Sequence, residues 1–289
     1  MIKILSKRIN IAVLAVCISA CSSNPHPVRT TQEEGIISAR ARNELAIENP
    51  EGLVRVGEGF EKSGNLTGAL NLYGQAISAA PDLINARIAY ARVTAKLGQS
   101  NRALAMLDAI PLEERTNPYI SYEKSGIFIT KRDYDSALST LQPLIDQSKL
   151  SEPQHMLRAA KLLFLSERVE GGRALLAQAI NQTPHNGLYT QSLAFSYALS
   201  GDYKTAISLI QQSLDKPSAK ESGRLALALV YALSGQINQA LEFHLGTLNR
   251  EDLTNQRLFY RALSYLNAKE MAEAVFFGQL PADIYERLD

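Results

Sequence analysis

Small side chains recur along this chain at a fixed spacing. Ala69, Ala103, Ala137, Gly172, Ala206, Ala240 and Ala274 follow one another at steps of 34 residues, with a single step of 35 between Ala137 and Gly172. Twelve residues before each stands a second small residue: Gly57, Ala91, Ser125, Ala160, Ala194, Ala228 and Ala262. Three residues further on come Phe60, Thr94, Phe128, Leu163, Tyr197, Tyr231 and Tyr265, large in every case but Thr94. Two antiparallel helices joined by a tight turn approach closely only where one offers a small side chain, and a bulky neighbour then fills the groove. The pattern therefore predicts an all-α chain of about seven helix-turn-helix units over residues 50–281. Gly64, Gly98, Gly201 and Gly235 fall where a turn begins, and glycine accepts positive φ there at no steric cost. Arg132, Glu167 and Lys269 take that place in the other three units, whose loops are therefore expected to differ in shape. Pro81 and Pro184 are expected to close their second helices.

The pattern is absent before residue 50. Lys3, Lys7 and Arg8 precede an apolar run from Ile11 to Ile18, which is too short for the ~20 apolar residues of a membrane span and reads as a signal peptide over residues 1–20. Ile18, Ser19, Ala20 and Cys21 resemble the bacterial lipobox. That resemblance implies cleavage before Cys21, a diacylglycerol on its sulfur, acylation of the new amino group and anchoring in a membrane. The alternative is an ordinary signal peptide with an incidental cysteine. Ser22 follows where the same resemblance associates a non-acidic residue with export to the outer membrane. Residues 21–35 are polar, with Pro25 and Pro27, and read as a flexible tether. Residues 36–49 are helix-permissive and read as an N-terminal cap, or as a partner-facing helix. Residues 282–289 remain as a tail.

Charge narrows the function classes. The sequence carries 30 basic and 29 acidic residues, and the three basic residues of residues 1–20 go with the signal peptide, leaving 27 against 29. That balance gives no basis for nucleic-acid binding. Cys17 and Cys21 are the two cysteines, so neither a disulfide framework nor a four-cysteine zinc site is expected. His26, His155, His185 and His244 are scattered and are read as surface or loop residues. Gly57-Glu58-Gly59 lacks the third glycine of a nucleotide loop, and Ser121 to Lys124 spells SxxK without the partner motifs that would make it a nucleophile site. No catalytic residue, metal site or cofactor is expected apart from the lipid on Cys21.

A surface is expected instead. Residues one step after the small site of each first helix, and a turn to either side, face an inner groove. In the first two units these are Glu51, Val54, Glu58, Glu61, Asn85, Ile88 and Arg92. Further along they become Tyr119, Tyr122, Ile129, Leu157, Phe164, Leu188, Phe195, Leu199, Leu225, Leu229, Leu233, Phe259, Leu263 and Leu266. The groove thus turns from polar to apolar. An apolar concave wall either receives a peptide from a partner or is filled from within, by tight winding or by the tail with Ile284, Tyr285 and Leu288.

The 34-residue unit with these small and large positions resembles the tetratricopeptide repeat, which implies a superhelix whose inner wall is built mainly by first helices. A narrower likeness lies late in the chain. Tyr197-Ala198-Leu199-Ser200-Gly201 is echoed by Tyr231-Ala232-Leu233-Ser234-Gly235. Pro217, the Arg224 to Ala228 run, Asn255, Phe259 and Tyr260 accompany them. Together these resemble the TadD-type lipoproteins of the tight-adherence (Flp) pilus assembly system. The resemblance implies a non-catalytic, outer-membrane-anchored, periplasm-facing accessory. It would act like a pilotin, binding an outer-membrane secretin subunit or another pilus-machine component. The alternatives are an adaptor for type IV pili, for outer-membrane protein assembly or for recruiting murein hydrolases, and more remotely an enzyme.

Overall fold

The computed structural model describes residues 49–114, 117–214 and 220–288. Cys21, the signal peptide, the tether and residues 36–48 of the expected cap lie outside them. The described residues form α-helices and one 3-10 turn, Leu112–Glu114, with no strand among them.

The chain divides into two compact units at Leu150/Ser151. The first contains α1 (Pro50–Lys62), α2 (Leu66–Ala79), α3 (Ile84–Lys96), α4 (Ser100–Asp108), α5 (Pro118–Thr130) and α6 (Tyr134–Asp146). The second contains α7 (Pro153–Leu165), α8 (Val169–Gln182), α9 (Gly187–Leu199), α10 (Tyr203–Leu214), α11 (Lys220–Leu233), α12 (Ile237–Glu242), α13 (Arg250–Leu263), α14 (Ala268–Phe277) and α15 (Ile284–Leu288). Successive helices pair as α1 with α2, and so on to α11 with α12. All fourteen small positions are buried, from Gly57 and Ala69 to Ala262 and Ala274. Gly57 shows why: a Cβ there would sit 2.5 Å from the Tyr73 ring of the facing helix.

The turns inside six pairs share one construction. The N–H of the residue after the turn donates to the carbonyl five residues back, closing each first helix. The bonds are Asn65 to Phe60 at 2.9 Å, Gln99 to Thr94 at 3.1 Å, Asp133 to Phe128 at 2.9 Å, Arg168 to Leu163 at 2.9 Å, Asp202 to Tyr197 at 2.9 Å and Gln236 to Tyr231 at 2.8 Å. This is the Schellman closure, and it requires a left-handed residue between the helices. Arg132 (φ 59°) and Glu167 (φ 60°) adopt it as the glycines do, so these two loops keep the shape of the glycine turns, contrary to expectation. The positions read as groove fillers are therefore also the acceptors of the helix closure. Filling does not hold throughout: Phe60 is 40% exposed, and it lies across the face of Gly68 rather than under cover. Pro81 and Pro184 each follow a second helix that ends two residues earlier, at Ala79 and Gln182.

The seventh pair departs. Lys269 is not a turn residue but lies in the first turn of α14. Asn267 caps that helix, accepting from the Glu270 N–H at 3.0 Å, while the Glu270 carboxylate accepts from the Asn267 N–H at 3.0 Å. This reciprocal box starts the helix early and replaces the left-handed turn. α14 does not lie along α13. It packs on α7 and α9, the first helices of the fourth and fifth pairs.

Candidate partner-binding site

The expected groove residues fall in both compact units. In the first unit, Glu51, Val54, Glu58, Asn85, Ile88 and Arg92 line one open cavity of about 470 Å³, together with Tyr119 at its edge. Glu61 is withdrawn from it. Its side chain, 7% exposed, accepts from Arg92 Nε at 2.9 Å and Nη2 at 2.8 Å, from Lys96 Nζ at 2.6 Å and from the Tyr73 hydroxyl at 3.0 Å. Burial alone would push this carboxyl up. The hydrogen bonds and charges of Arg92 and Lys96 outweigh it and hold the group at about 2. Arg92 reaches on to Glu123 at 3.3 Å. One ion network thus ties α1, α3 and α5, and the polar part of the expected groove owes much of its character to that structural role. Tyr119 is exposed and Tyr122 half-buried.

In the second unit the first helices α7, α9, α11 and α13 form the wall. Leu188, Phe195, Leu225, Leu229 and Phe259 converge on a pocket of about 190 Å³. Phe195 and Leu229 are its buried floor, whereas Leu225 and Phe259 are only half-buried. Leu157, Phe164, Leu199 and Leu233 do not line it. Phe164 is instead covered by Phe276 of α14, the rings stacked at 5.0 Å. The expected tail does not fill the pocket either: Ile284 is buried where α15 packs on α13, and Tyr285 is exposed.

Several wall residues were missed by a search for apolar positions. Lys161 stands one residue after the small site Ala160, in register with Phe195 and Leu229, so the spacing that selects those two selects it as well. It lines the same pocket. Its Nζ donates to the Phe276 carbonyl at 3.1 Å and lies 5.8 Å from the centre of the Phe277 ring. Burial, and then the charge of Arg158, pull this ammonium down to about 8. His244 and Tyr260 also line the pocket and pair through His244 Nε2 and the Tyr260 hydroxyl at 2.7 Å. His155 is buried on α7, contrary to the expected surface or loop placement, whereas His244 lies in the turn after α12, as a loop residue, but is buried there. Burial holds both imidazoles below their ordinary range. Of the motifs set aside, Lys124 of SxxK pairs with Asp108 at 2.6 Å, and Gly57 to Gly59 lie within α1.

Among the described residues no three His, Cys, Asp or Glu are placed to hold a metal ion, and no helix is long and apolar enough to cross a membrane. The chemistry on offer is a hydrophobic wall with the cation of Lys161, the carboxylate of Glu221 and a hydrogen-bonded His-Tyr pair.

A family model of the tetratricopeptide repeat matches residues 61–122. No curated protein matches the sequence significantly. Among solved structures, the chain is similar to PilW, a widely conserved type IV pilus biogenesis factor, at TM-score 0.60 and 12% identity over 71% of this chain and 97% of that one. It is similar to pilF of Pseudomonas aeruginosa at TM-score 0.55 and 12% identity over 74% and 99% of the two chains. A tetratricopeptide repeat protein from Parabacteroides merdae aligns at TM-score 0.53 and 16% identity over 74% and 84%. At these identities the likeness is one of fold.

Proposed function

From a chain folded as tetratricopeptide repeats, we propose a protein-binding scaffold of pilus biogenesis, anchored in the outer membrane through Cys21 and facing the periplasm. The observation that carries the binding role is the apolar first-helix wall of α7, α9, α11 and α13, with half-buried Leu225 and Phe259 at the mouth of its pocket. A concave apolar surface with a few convergent polar groups suits an amphipathic segment of another protein. The wall performs no bond chemistry. It holds a partner segment, and the lipid anchor keeps that partner at high local concentration beside the membrane. The late-chain likeness to TadD-type lipoproteins supports a pilotin-like role, placing or assembling a secretin subunit of the Flp system. The fold likeness to PilW and pilF favours a second reading, an adaptor for a type IV pilus.

The test is capture of a secretin from detergent-solubilised outer membranes by the full chain. Phe259→Glu and Leu225→Glu each introduce a charge at the half-buried rim, and are expected to lower capture at least tenfold while the melting temperature stays within a few degrees. Phe195 and Leu229 are poorer choices, because a charge on the buried floor would disturb packing itself. Cys21→Ser should move the protein into the soluble fraction without unfolding it. Capture undiminished by both rim variants rejects the wall as the binding surface.

A further inference from the structure

The last second helix is seated where no other second helix sits. α2, α4, α6, α8, α10 and α12 each pack on their own first helix, but α14 packs on α7 and α9, three and two pairs back. Its contact has a defined chemistry. Phe276, in the last turn, stacks on Phe164 at 5.0 Å and is almost fully buried. Lys161 Nζ donates to the Phe276 carbonyl, one of the end carbonyls that a helix leaves without an internal partner. A cation at that end is the favourable partner for the helix dipole. No carboxylate pairs with Lys161 among the described residues. The helix leaves the wall at Gly278, in the left-handed conformation at φ 66°. It is held at its other end by a separate clip: Arg287 of α15 donates to both oxygens of Glu270 at 2.8 Å and pairs with Asp283 at 3.0 Å.

We propose that α14 is a resident stand-in for the partner. The face of α7 and α9 is built to take a short helix from another protein, with an aromatic residue of its last turn on Phe164 and its terminal carbonyl on Lys161, and α14 must lift away before that helix binds. The proposal deepens the reading of the wall as a protein-binding surface and rests on it. The 190 Å³ pocket beside Phe276 is the part of the same wall that α14 leaves uncovered. Lys161 explains why a helix end, rather than any apolar surface, is the fitting occupant. A hydrophobic contact alone would have no use for a half-buried cation, whose partial removal from water is costly.

The probe is a fluorescein-labelled peptide with the sequence of residues 267–279, titrated against the full chain. Wild-type protein is expected to bind it weakly, because α14 competes. Phe276→Ala loosens the resident helix and is expected to tighten peptide binding at least tenfold. Adding Lys161→Met in that background should remove most of the gain. The proposal is overturned if Phe276→Ala binds no better than wild type, or if Lys161→Met changes nothing. Should Phe276→Ala lose its cooperative melt, hydrogen exchange on the wild-type chain decides. Amides of α14 exchanging at least tenfold faster than those of α9 support a displaceable helix, and exchange of the two at one rate overturns it. No pilus component enters this assay. Peptide binding without secretin capture would reject the proposed function alone, and secretin capture without peptide binding would reject the stand-in alone.

Discussion

Gly57→Ala is expected to lower stability by about 2 kcal/mol, while Gly59→Ala, two residues along the same helix, is expected to raise it by about 0.5 kcal/mol. Both glycines lie inside α1, so both substitutions gain the same helix propensity. They differ in what the new methyl meets. At Gly59 nothing lies within 4 Å, whereas at Gly57 it would sit 2.5 Å from the Tyr73 ring. That ring cannot swing aside cheaply. Tyr73 is fully buried, and its hydroxyl donates to Glu61 at 3.0 Å. Overpacking must therefore push α2 away from α1, and a urea denaturation midpoint reads the loss directly. Equal effects at the two sites would mean that the small position is not what allows the helices to approach.

Glu61→Gln is the second large effect, expected to cost about 3 kcal/mol at pH 7, because it leaves Arg92 and Lys96 around a side chain that no longer carries charge. The cost depends on pH with a definite sign. The folded carboxyl is held at about 2 against an ordinary value of 4.5. As pH falls from 4.5 toward 2, the unfolded chain takes up a proton that the folded chain resists, and acid favours unfolding. The wild type should lose the contribution of this group across that window, and Glu61→Gln should show a flatter profile there. Urea midpoints measured between pH 7 and pH 2.5 check it. Parallel profiles would show that the network around Glu61 is not a stabilising one.

The helical repeat was legible because its period is carried by residue size. The burial of every alanine at the two repeating small positions, each 0–2% exposed from Ala69 to Ala274, follows from two helices needing to touch, and spacing alone finds it. The left-handed turns at Arg132 and Glu167 were not foreseen, because the loss of glycine suggested a different loop shape, whereas the Schellman bond and not the glycine defines the place. The end of the array was not legible through the period. Asn267 and Glu270 form a capping box, a signal present in the sequence, yet it competes with the 34-residue register that put a turn at Lys269. Where α14 goes is a long-range matter. Phe276 and Phe164 are 112 residues apart, and no local pattern pairs them. The wall was found in part for a related reason. Periodicity places Lys161 beside Phe195 and Leu229, but a rule that looks for apolar side chains discards a lysine. The depth of the histidines was not legible because a lone histidine says nothing of burial until its partner, here Tyr260 for His244, is brought beside it.

The claim that the wall of α7, α9, α11 and α13 receives another protein is tested most directly by a photo-crosslinking amino acid at Leu225 of the full-length chain, in cells assembling pili. Leu225 stands half-buried at the pocket, and exposed Gln178 on α8 serves as the control. The account predicts an intermolecular adduct to a pilus-machine subunit from Leu225 and none from Gln178. Adducts in equal yield from both positions, or from Gln178 alone, would contradict it.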